Sequence, residues 1–248
     1  MDRSESMDMN FQIPQDYDIT KSSEINYCSE GSPFVGKYKD IRALLDYTYH
    51  KHYSEERQYL HDNLIDRFLK TKVHDREMNM ECEVPLENWI VFTAGPMGAG
   101  KGHTIQWLAK NSLFPLDAFV NVDPDALRHL LPETPLYNAQ DNNTAGYLTQ
   151  KEVNYISEVL SYHSLLHGKN VLVDGSLRDA HWYLKYFQDL REKFPTLKIA
   201  ILYVTAKPET VLLRARNRAK VTGRHVPEVM ILDSMRSIPV SSYIVRQL

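Results

Sequence analysis

Cysteine is scarce in this chain, with only Cys28 and Cys82 among 248 residues. The two residues lie far apart and lack the spacing of metal ligands, so they indicate reduced thiols in a cytoplasmic protein rather than a disulfide framework. Long apolar runs are also absent, because no stretch approaches the ~20 residues that span a bilayer. Residues 1–10 are polar and acidic, unlike a secretory signal. A membrane partner is therefore not expected.

An excess of basic residues is missing as well. The chain has 29 Lys and Arg against 32 Asp and Glu, which gives a net charge of −3. No global positive field favours nucleic acid, so a nucleic-acid partner is not expected. The length and the hydrophobic fraction of 43% suit one medium-sized domain with an elaboration.

The first third of the chain predicts two segments of different character. Residues 1–36 are rich in Ser, Asp, Glu and Gly, which predicts a disordered or loosely attached arm. Residues 37–84 predict a helical extension with one helix at 40–50. A second helix starts after Ser54, a good N-cap that is followed by two glutamates. The end of this segment, 70–83, is a charged connector.

From residue 88 onward, short apolar and β-branched runs alternate with helical periods. The runs lie at 89–94, 118–122, 170–174 and 198–205. Candidate helices lie at 101–110, 125–131, 149–167, 180–194, 208–220 and 226–236. This alternation predicts an α/β fold in which a parallel sheet is flanked by helices. A fifth core strand is not recognisable after residue 236, which indicates either a C-terminally truncated domain or a small sheet.

Glycine is sparse in the chain, yet four of its ten glycines fall within eight positions of the stretch GPMGAGKGHT, residues 95–104. The stretch follows an apolar strand candidate and matches the G-x-x-x-x-G-K part of the P-loop pattern. Such a loop needs glycine because backbone N–H groups must converge on phosphate oxygens, and the following helix adds its positive dipole end. Lys101 is expected to reach the β- and γ-phosphates. The predicted ATP-binding residues are Gly95, Pro96, Met97, Gly98, Ala99, Gly100, Lys101, Gly102, His103 and Thr104.

One residue departs from the P-loop pattern. A Ser or Thr that ligates Mg²⁺ normally follows the lysine, but this chain has Gly102. Nucleotide kinases of the adenylate kinase kind also carry Gly-Lys-Gly at this point. The ligand of Mg²⁺ is therefore open between water, Thr104 and an acid elsewhere.

Two acids follow the second strand candidate. Asp123 and Asp125 are expected at the carboxyl edge of the sheet, where ligands of such folds bind. Asp125 is the candidate general base, which would accept the proton of an attacking hydroxyl. The alternative is that Asp123 is a helix N-cap and Asp125 a first-turn acid, both with structural roles.

The third strand candidate also ends in an acid, Asp174. An acid in this position typically holds Mg²⁺ through water, so Asp174 or Asp123 is the candidate metal contact. Ser176 and Arg178 follow it and could bind an acceptor hydroxyl or an acidic group. The alternative is a plain β-α turn with an Asp N-cap.

A basic helix follows the fourth strand candidate. Arg218 and Arg224 are predicted to neutralise the charge that spreads over a transferring phosphoryl group. Arg214 and Arg216 are interpreted as part of a solvated helix face.

Taken in order, the stretches GPMGAGKGHT, FVNVDPDALRHLLPE, NVLVDGSLRD and RNRAKVTGRHVP resemble the zeta toxin family of P-loop kinases. Bacterial members use ATP and Mg²⁺ to phosphorylate the 3′-hydroxyl of a UDP-activated N-acetylamino sugar. The resemblance implies a zeta-toxin-like P-loop kinase domain over 85–248, with Lys101 as the phosphate lysine and Asp125 as the base. It also implies that Asp174 stands where the family has a substrate-binding Glu and Ser176 where it often has Thr. Arg218 and Arg224 match the two arginines that contact the transferring phosphate.

The N-terminal region does not resemble the short helix of the bacterial toxins. Its Tyr-rich stretch DYTYHKHYSEERQ looks more like the extension on eukaryotic proteins that carry this domain. His50 and His52 in this stretch are interpreted as surface histidines on a frayed helix rather than as metal ligands.

The sequence therefore predicts an ATP-dependent kinase whose acceptor is a small molecule, by resemblance a nucleotide sugar such as UDP-N-acetylglucosamine. One alternative is another acceptor, such as a nucleoside, an antibiotic or a polynucleotide end. A polynucleotide would call for aromatic residues interleaved with the basic helix, and none is present there. The other alternative is a nucleotide-binding regulatory module without turnover, which Gly102 and the charged arm favour.

Overall fold

A computed structural model describes residues 11–75, 80–82, 85, 87–142, 144–222 and 226–246. The chain divides into two units. The first, here called the helical unit, comprises residues 1–70 and 123–166. The second, here called the sheet unit, comprises residues 71–122 and 167–248.

The regular elements are numbered in chain order. The helices are α1 (Ser23–Asn26), α2 (Lys39–Arg42), α3 (Glu55–Asp66), α4 (Lys101–Lys110), α5 (Pro124–Leu130), α6 (Thr134–Asp141), α7 (Ala145–Leu166), α8 (Ala180–Lys193), α9 (Pro208–Thr222) and α10 (Glu228–Val245). The strands are β1 (Val73–Asp75), β2 (Met80–Cys82), β3 (Trp89–Ala94), β4 (Phe119–Val122), β5 (Asn170–Val173) and β6 (Lys198–Tyr203). Among the described residues, no helix combines the length and the apolar character needed to cross a bilayer.

The sheet unit is built on a parallel sheet with the strand order β4-β5-β3-β6. All four apolar runs of the sequence form its strands, so the prediction of a parallel sheet flanked by helices is confirmed. The sheet has these four strands in the described residues. Asn170 fixes the register at the start of β5, because its side chain accepts from the Trp89 N–H at 2.9 Å and donates to the Ala118 carbonyl at 3.2 Å.

One face of this sheet packs against α4. Val91 and Leu172 from the central strands form a buried apolar cluster with Ile105 of α4 and Phe119 of β4. The part of the charged connector that the structure describes also contains strands, since β1 and β2 pair in an antiparallel ladder. Both strands are short and charged, so neither the length nor the alternation of a core strand marks them in the sequence.

The helical unit is organised around α7, against which α1, α2, α3, α5 and α6 pack. Two predicted caps are present in this unit. The Ser54 hydroxyl accepts from the Arg57 N–H at the start of α3, and Asp123 caps α5. Helix α6 was not predicted, because its eight residues include Pro135 and show only a weak apolar pattern.

The N-terminal residues differ from the predicted arm wherever the structure describes them. Residues 11–36 include α1, and the Tyr27 side chain is buried. The Tyr17 hydroxyl lies 2.6 Å from the Tyr137 hydroxyl of α6. Apolar residues are few in this segment, but its aromatic residues find partners through tertiary packing. Residues 1–10 lie outside the described residues.

The Tyr-rich stretch also differs from its prediction. The helix expected at 40–50 is limited to the single turn of α2. His50 is buried, with Nε2 3.1 Å from a carboxylate oxygen of Glu158, so its interpretation as a surface histidine is wrong. His50 packs edge-on against Tyr155 of α7, a contact that connects residues distant in the sequence.

Arg57 is the centre of a buried ionic cluster in the helical unit. Its guanidinium forms ion pairs with Glu133 and Glu152, and all three side chains are fully buried. Its Nε lies 2.5 Å from Oε1 of Glu152, which also lies 2.7 Å from Nε2 of His61. The Tyr27 ring covers the guanidinium at 3.8 Å. This cluster connects α3 to α7, to the residue before α6 and to the N-terminal segment.

Candidate functional site

The glycine-rich loop connects β3 to α4 in the sheet unit. Gly95 has φ of +145° and Gly98 has φ of +88°, values that L side chains rarely adopt. A Cβ atom on Gly95 would lie 2.2 Å from the Val204 carbonyl oxygen, and one on Gly98 would lie 2.6 Å from the Val211 carbonyl oxygen. Both positions therefore require glycine, as the P-loop interpretation predicts.

Lys101 is the first residue of α4 and is half-buried. Its Nζ donates to the Gly95 carbonyl at 3.0 Å, so the ammonium group lies over its own loop. Gly100, the N-cap, offers no side chain to the N–H groups of the first helical turn. The loop therefore combines the start of a helix with a nearby ammonium group, two features that favour an anion.

Two positions of this loop bear on Mg²⁺ binding: the candidate ligand Thr104, and Gly102, which replaces the usual Ser or Thr. The Thr104 hydroxyl donates to the Gly100 carbonyl at 3.0 Å within α4. A Cβ atom on Gly102 would meet no atom within 4 Å, so the usual Ser or Thr would fit at this position. The glycine at 102 is thus not required by packing. His103 is exposed.

The loop after β5 is joined to the glycine-rich loop. The Thr93 hydroxyl lies 2.8 Å from Oδ1 of Asp174, and it accepts from the Gly175 N–H at 2.9 Å. The Gly95 N–H donates to the Ser176 carbonyl at 3.1 Å. Sequence reasoning did not identify Thr93 as a site residue. The available signal was a hydroxyl within an otherwise apolar strand, directly before the glycine-rich loop.

The predicted acceptor-binding residues follow this junction. Ser176 is half-buried and Arg178 is exposed. The Arg178 carbonyl accepts from the Ser241 hydroxyl of α10 at 3.0 Å. Tyr183 of α8 lies beneath Gly175, and burial, followed by the negative charge of Asp179, raises the pKa of Tyr183. The Tyr183 hydroxyl is therefore protonated throughout the neutral range.

The arginines of α9 separate into different environments. Arg214 is exposed, as expected of a solvated face, and it also donates from Nη1 to the Ala99 carbonyl of the glycine-rich loop at 3.1 Å. Arg216 forms an exposed ion pair with Glu228 at 2.6 Å, as expected of a solvated face. Arg218 lies one helical turn after Arg214 and is exposed. Arg224 lies outside the described residues, so its predicted role stays a prediction.

Asp123 and Asp125 belong to the helical unit. Oδ1 of Asp123 accepts from the N–H groups of Asp125 and Ala126 at 2.9 and 3.1 Å, which confirms the alternative that Asp123 is an N-cap. The Asp125 side chain is 46% exposed and forms an ion pair with Arg128. Its role as a general base stays a prediction. In the described residues, no cluster of three His, Cys, Asp or Glu side chains could hold a metal ion.

Comparisons with known proteins agree with this geometry. A protein-family model for zeta toxins matches residues 70–245. No curated protein matches the chain at a significant level.

Solved structures with similar folds are more distant in sequence. One comes from the PezAT chromosomal toxin–antitoxin system of Streptococcus pneumoniae, with a TM-score of 0.56 and 17% identity over 74% of this chain and 71% of that chain. Another is the AvrRxo1-ORF1:AvrRxo1-ORF2 complex with sulphate ions, with a TM-score of 0.55 and 15% identity over 92% and 68%. The AvrRxo1 complex was also solved with ATP, and that structure has a TM-score of 0.53. At these identities, the similarity establishes a shared fold.

Proposed function

Because the chain belongs to the zeta toxin family, we propose that it is an ATP-dependent phosphotransferase that phosphorylates a hydroxyl of a small molecule. The first candidate acceptor is the nucleotide sugar UDP-N-acetylglucosamine, which follows from the bacterial members of the family. In this reaction, the acceptor oxygen forms a bond to the γ-phosphorus while the bond to the ADP oxygen breaks. The proton of the acceptor hydroxyl passes to a base.

The observation that carries the proposal is the conformation of the glycine-rich loop. A side chain at position 95 or 98 would clash with a backbone carbonyl oxygen, so only glycine fits there. The Lys101 ammonium group lies over the loop. A loop of this kind at the start of a helix fits the triphosphate of ATP, because its N–H groups and its lysine offer positive partners to phosphate oxygens. One similar fold, the AvrRxo1 complex, was solved with ATP, which supports the same ligand here.

Asp174 is the better of the two candidate acids for Mg²⁺. Asp123 already uses Oδ1 to cap α5, whereas Asp174 follows a strand end beside the glycine-rich loop, with Oδ1 2.8 Å from the Thr93 hydroxyl. Carboxylate and water oxygens suit Mg²⁺, so the residues present fit a water-mediated contact. Bound Mg²⁺ would supply positive charge to the phosphate oxygens.

The remaining roles follow from the family resemblance. Asp125 accepts the proton of the acceptor hydroxyl, and Arg218 and Arg224 neutralise charge on the phosphoryl group. Ser176 and Arg178 bind the acceptor. These assignments are proposals for this chain.

The experiment compares the wild-type protein with Lys101→Ala in a reaction with Mg²⁺, labelled ATP and a panel of acceptors, read by mass spectrometry. The panel contains UDP-N-acetylglucosamine, nucleosides and oligonucleotides with a 5′-hydroxyl. We expect the wild type to produce a phosphorylated nucleotide sugar and Lys101→Ala to produce none. Lys110→Ala, which changes an exposed lysine of the same helix, is the matched control and should retain activity.

A second variant separates binding from transfer. Asp125→Asn should bind ATP as the wild type does and lose phosphate transfer. Near-normal rates in this variant would contradict the assignment of the base. ATP binding by the wild type without any phosphorylated acceptor would instead favour a nucleotide-binding module without turnover.

A further inference from the structure

Arg128 is a buried cation that holds an exposed carboxylate. It lies on α5 one helical turn after Asp125, and its Nη1 donates to Oδ1 of that residue. The Arg128 side chain is 7% exposed, against 46% for Asp125. A guanidinium this deeply buried needs hydrogen-bond partners for its remaining donors as well.

Two residues of α7 provide those partners. Nε of Arg128 donates to the Thr149 hydroxyl at 2.9 Å, and Nη2 donates to Oε1 of Gln150 at 2.8 Å. The guanidinium is planar and its donors have fixed directions, so two bonds to α7 determine where the third nitrogen points. That third nitrogen is the one that holds Asp125.

The two acceptors on α7 are themselves oriented. The buried Thr149 hydroxyl donates to the Ala145 carbonyl at 2.9 Å while it accepts from Arg128. The Gln150 amide donates to Oδ1 of Asn154 at 2.7 Å. Each acceptor therefore has a second hydrogen bond that limits its rotation. Helix α7 therefore orients the Arg128 guanidinium, and the guanidinium in turn orients the Asp125 carboxylate.

We infer that Arg128 is the positioning residue of Asp125 in phosphate transfer: it holds the carboxylate in the orientation from which it accepts the hydroxyl proton. This inference rests on the proposed function. A base must stand within hydrogen-bond reach of the proton that it accepts, and a small displacement reduces the rate of the chemical step strongly. The sequence alone gives no reason to choose Arg128, because its partners on α7 lie 21 and 22 residues away.

The test measures kcat and KM with Mg²⁺-ATP and UDP-N-acetylglucosamine. Arg128→Gln should lower kcat by roughly 10- to 100-fold, since the carboxylate loses its fixed orientation. The KM for ATP should stay within about two-fold of the wild type, because ATP binding does not require Asp125. In an Asp125→Asn background, Arg128→Gln should cause little further loss, because the two residues act as one unit.

Thr149→Val is the sharper variant, because it leaves Arg128 and Asp125 in place and removes one acceptor of the guanidinium. It should lower kcat in the same direction by a smaller factor. Ser157→Ala is its matched control on α7. The buried Ser157 hydroxyl also bonds to a backbone carbonyl one turn earlier, that of Val153 at 2.7 Å, and should be dispensable for kcat. Arg128→Lys keeps the charge but not the forked set of guanidinium donors, so kcat should fall in this variant too. It replaces Arg128→Gln as the test if Arg128→Gln folds poorly.

The outcomes distinguish the inference from the proposed function. If the wild type transfers phosphate and Lys101→Ala does not, the proposed function stands. Unchanged kcat in folded Arg128→Gln or Arg128→Lys protein would then overturn the inference alone, as would equal losses in Thr149→Val and Ser157→Ala. A wild-type protein that phosphorylates another acceptor of the panel would refute UDP-N-acetylglucosamine alone, and kcat would then be measured with that acceptor. A wild-type protein that phosphorylates no acceptor would refute the proposed function and the inference together.

Discussion

Replacement of Arg57 by methionine is expected to lower the free energy of unfolding by about 3–5 kcal/mol, the usual cost of removing one partner from a buried ion pair. The substitution would leave Glu133 and Glu152 buried without their shared cation. Burial by itself raises the pKa of Glu152, but Arg57 and His61 outweigh burial and lower it to about 2. Glu152 is therefore ionised at neutral pH and depends on Arg57.

Two further features of the Arg57 cluster support a large decrease in the free energy of unfolding. The Tyr27 ring lies 3.8 Å from the guanidinium, so the substitution also removes a desolvated cation–π contact. The cluster joins helices from distant parts of the chain, so a local adjustment cannot restore the lost partner. Since ~1 kcal/mol shifts the Tm of a domain of this size by ~2–4 °C, the expected decrease is roughly 6–20 °C.

The assay is urea unfolding at neutral pH, followed by far-ultraviolet circular dichroism. Arg67→Met is the matched control, because Arg67 is the exposed C-cap residue of the same helix. The triple variant Arg57→Met/Glu133→Gln/Glu152→Gln removes the uncompensated charge and should recover part of the loss. An effect of Arg57→Met no larger than that of Arg67→Met would refute the reasoning.

Three further predictions concern pH, the loop and α9. Burial lowers the pKa of His61 from 6.5 to about 4, so protonation favours the unfolded chain. Stability should therefore fall by roughly 3 kcal/mol as the pH drops from 6.5 to 4, and His61→Gln should flatten this dependence in urea titrations. Gly98→Ala should abolish ATP binding, as measured by calorimetry. Gly102→Ala should preserve it, because the added Cβ atom would meet no neighbouring atom. Arg214→Ala should weaken ATP binding several-fold more than Arg216→Ala, because only Arg214 contacts the loop.

Much of the sheet unit could be predicted from the sequence. The four strands, the position of α4 and the glycine-rich loop depend on apolar periodicity, on turn glycines and on one lysine, all within a few neighbouring residues. The N-caps Ser54 and Asp123 could be predicted for the same reason, since each caps N–H groups two or three residues away. Such signals act locally, so a single chain displays them without its folded context.

Only the tertiary structure decided which polar groups share a site. Arg214 and Arg216 have the same charge and lie two residues apart, yet one contacts the glycine-rich loop and the other pairs with Glu228. Arg57 meets Glu133 and Glu152 across 76 and 95 residues, and the aromatic residues of 11–36 become ordered through contacts with other helices. The physical reason is that the packing of distant helices brings these partners together, and local periodicity does not determine that packing. Where the packing also removes water, as around Arg57, each buried charge requires its partner.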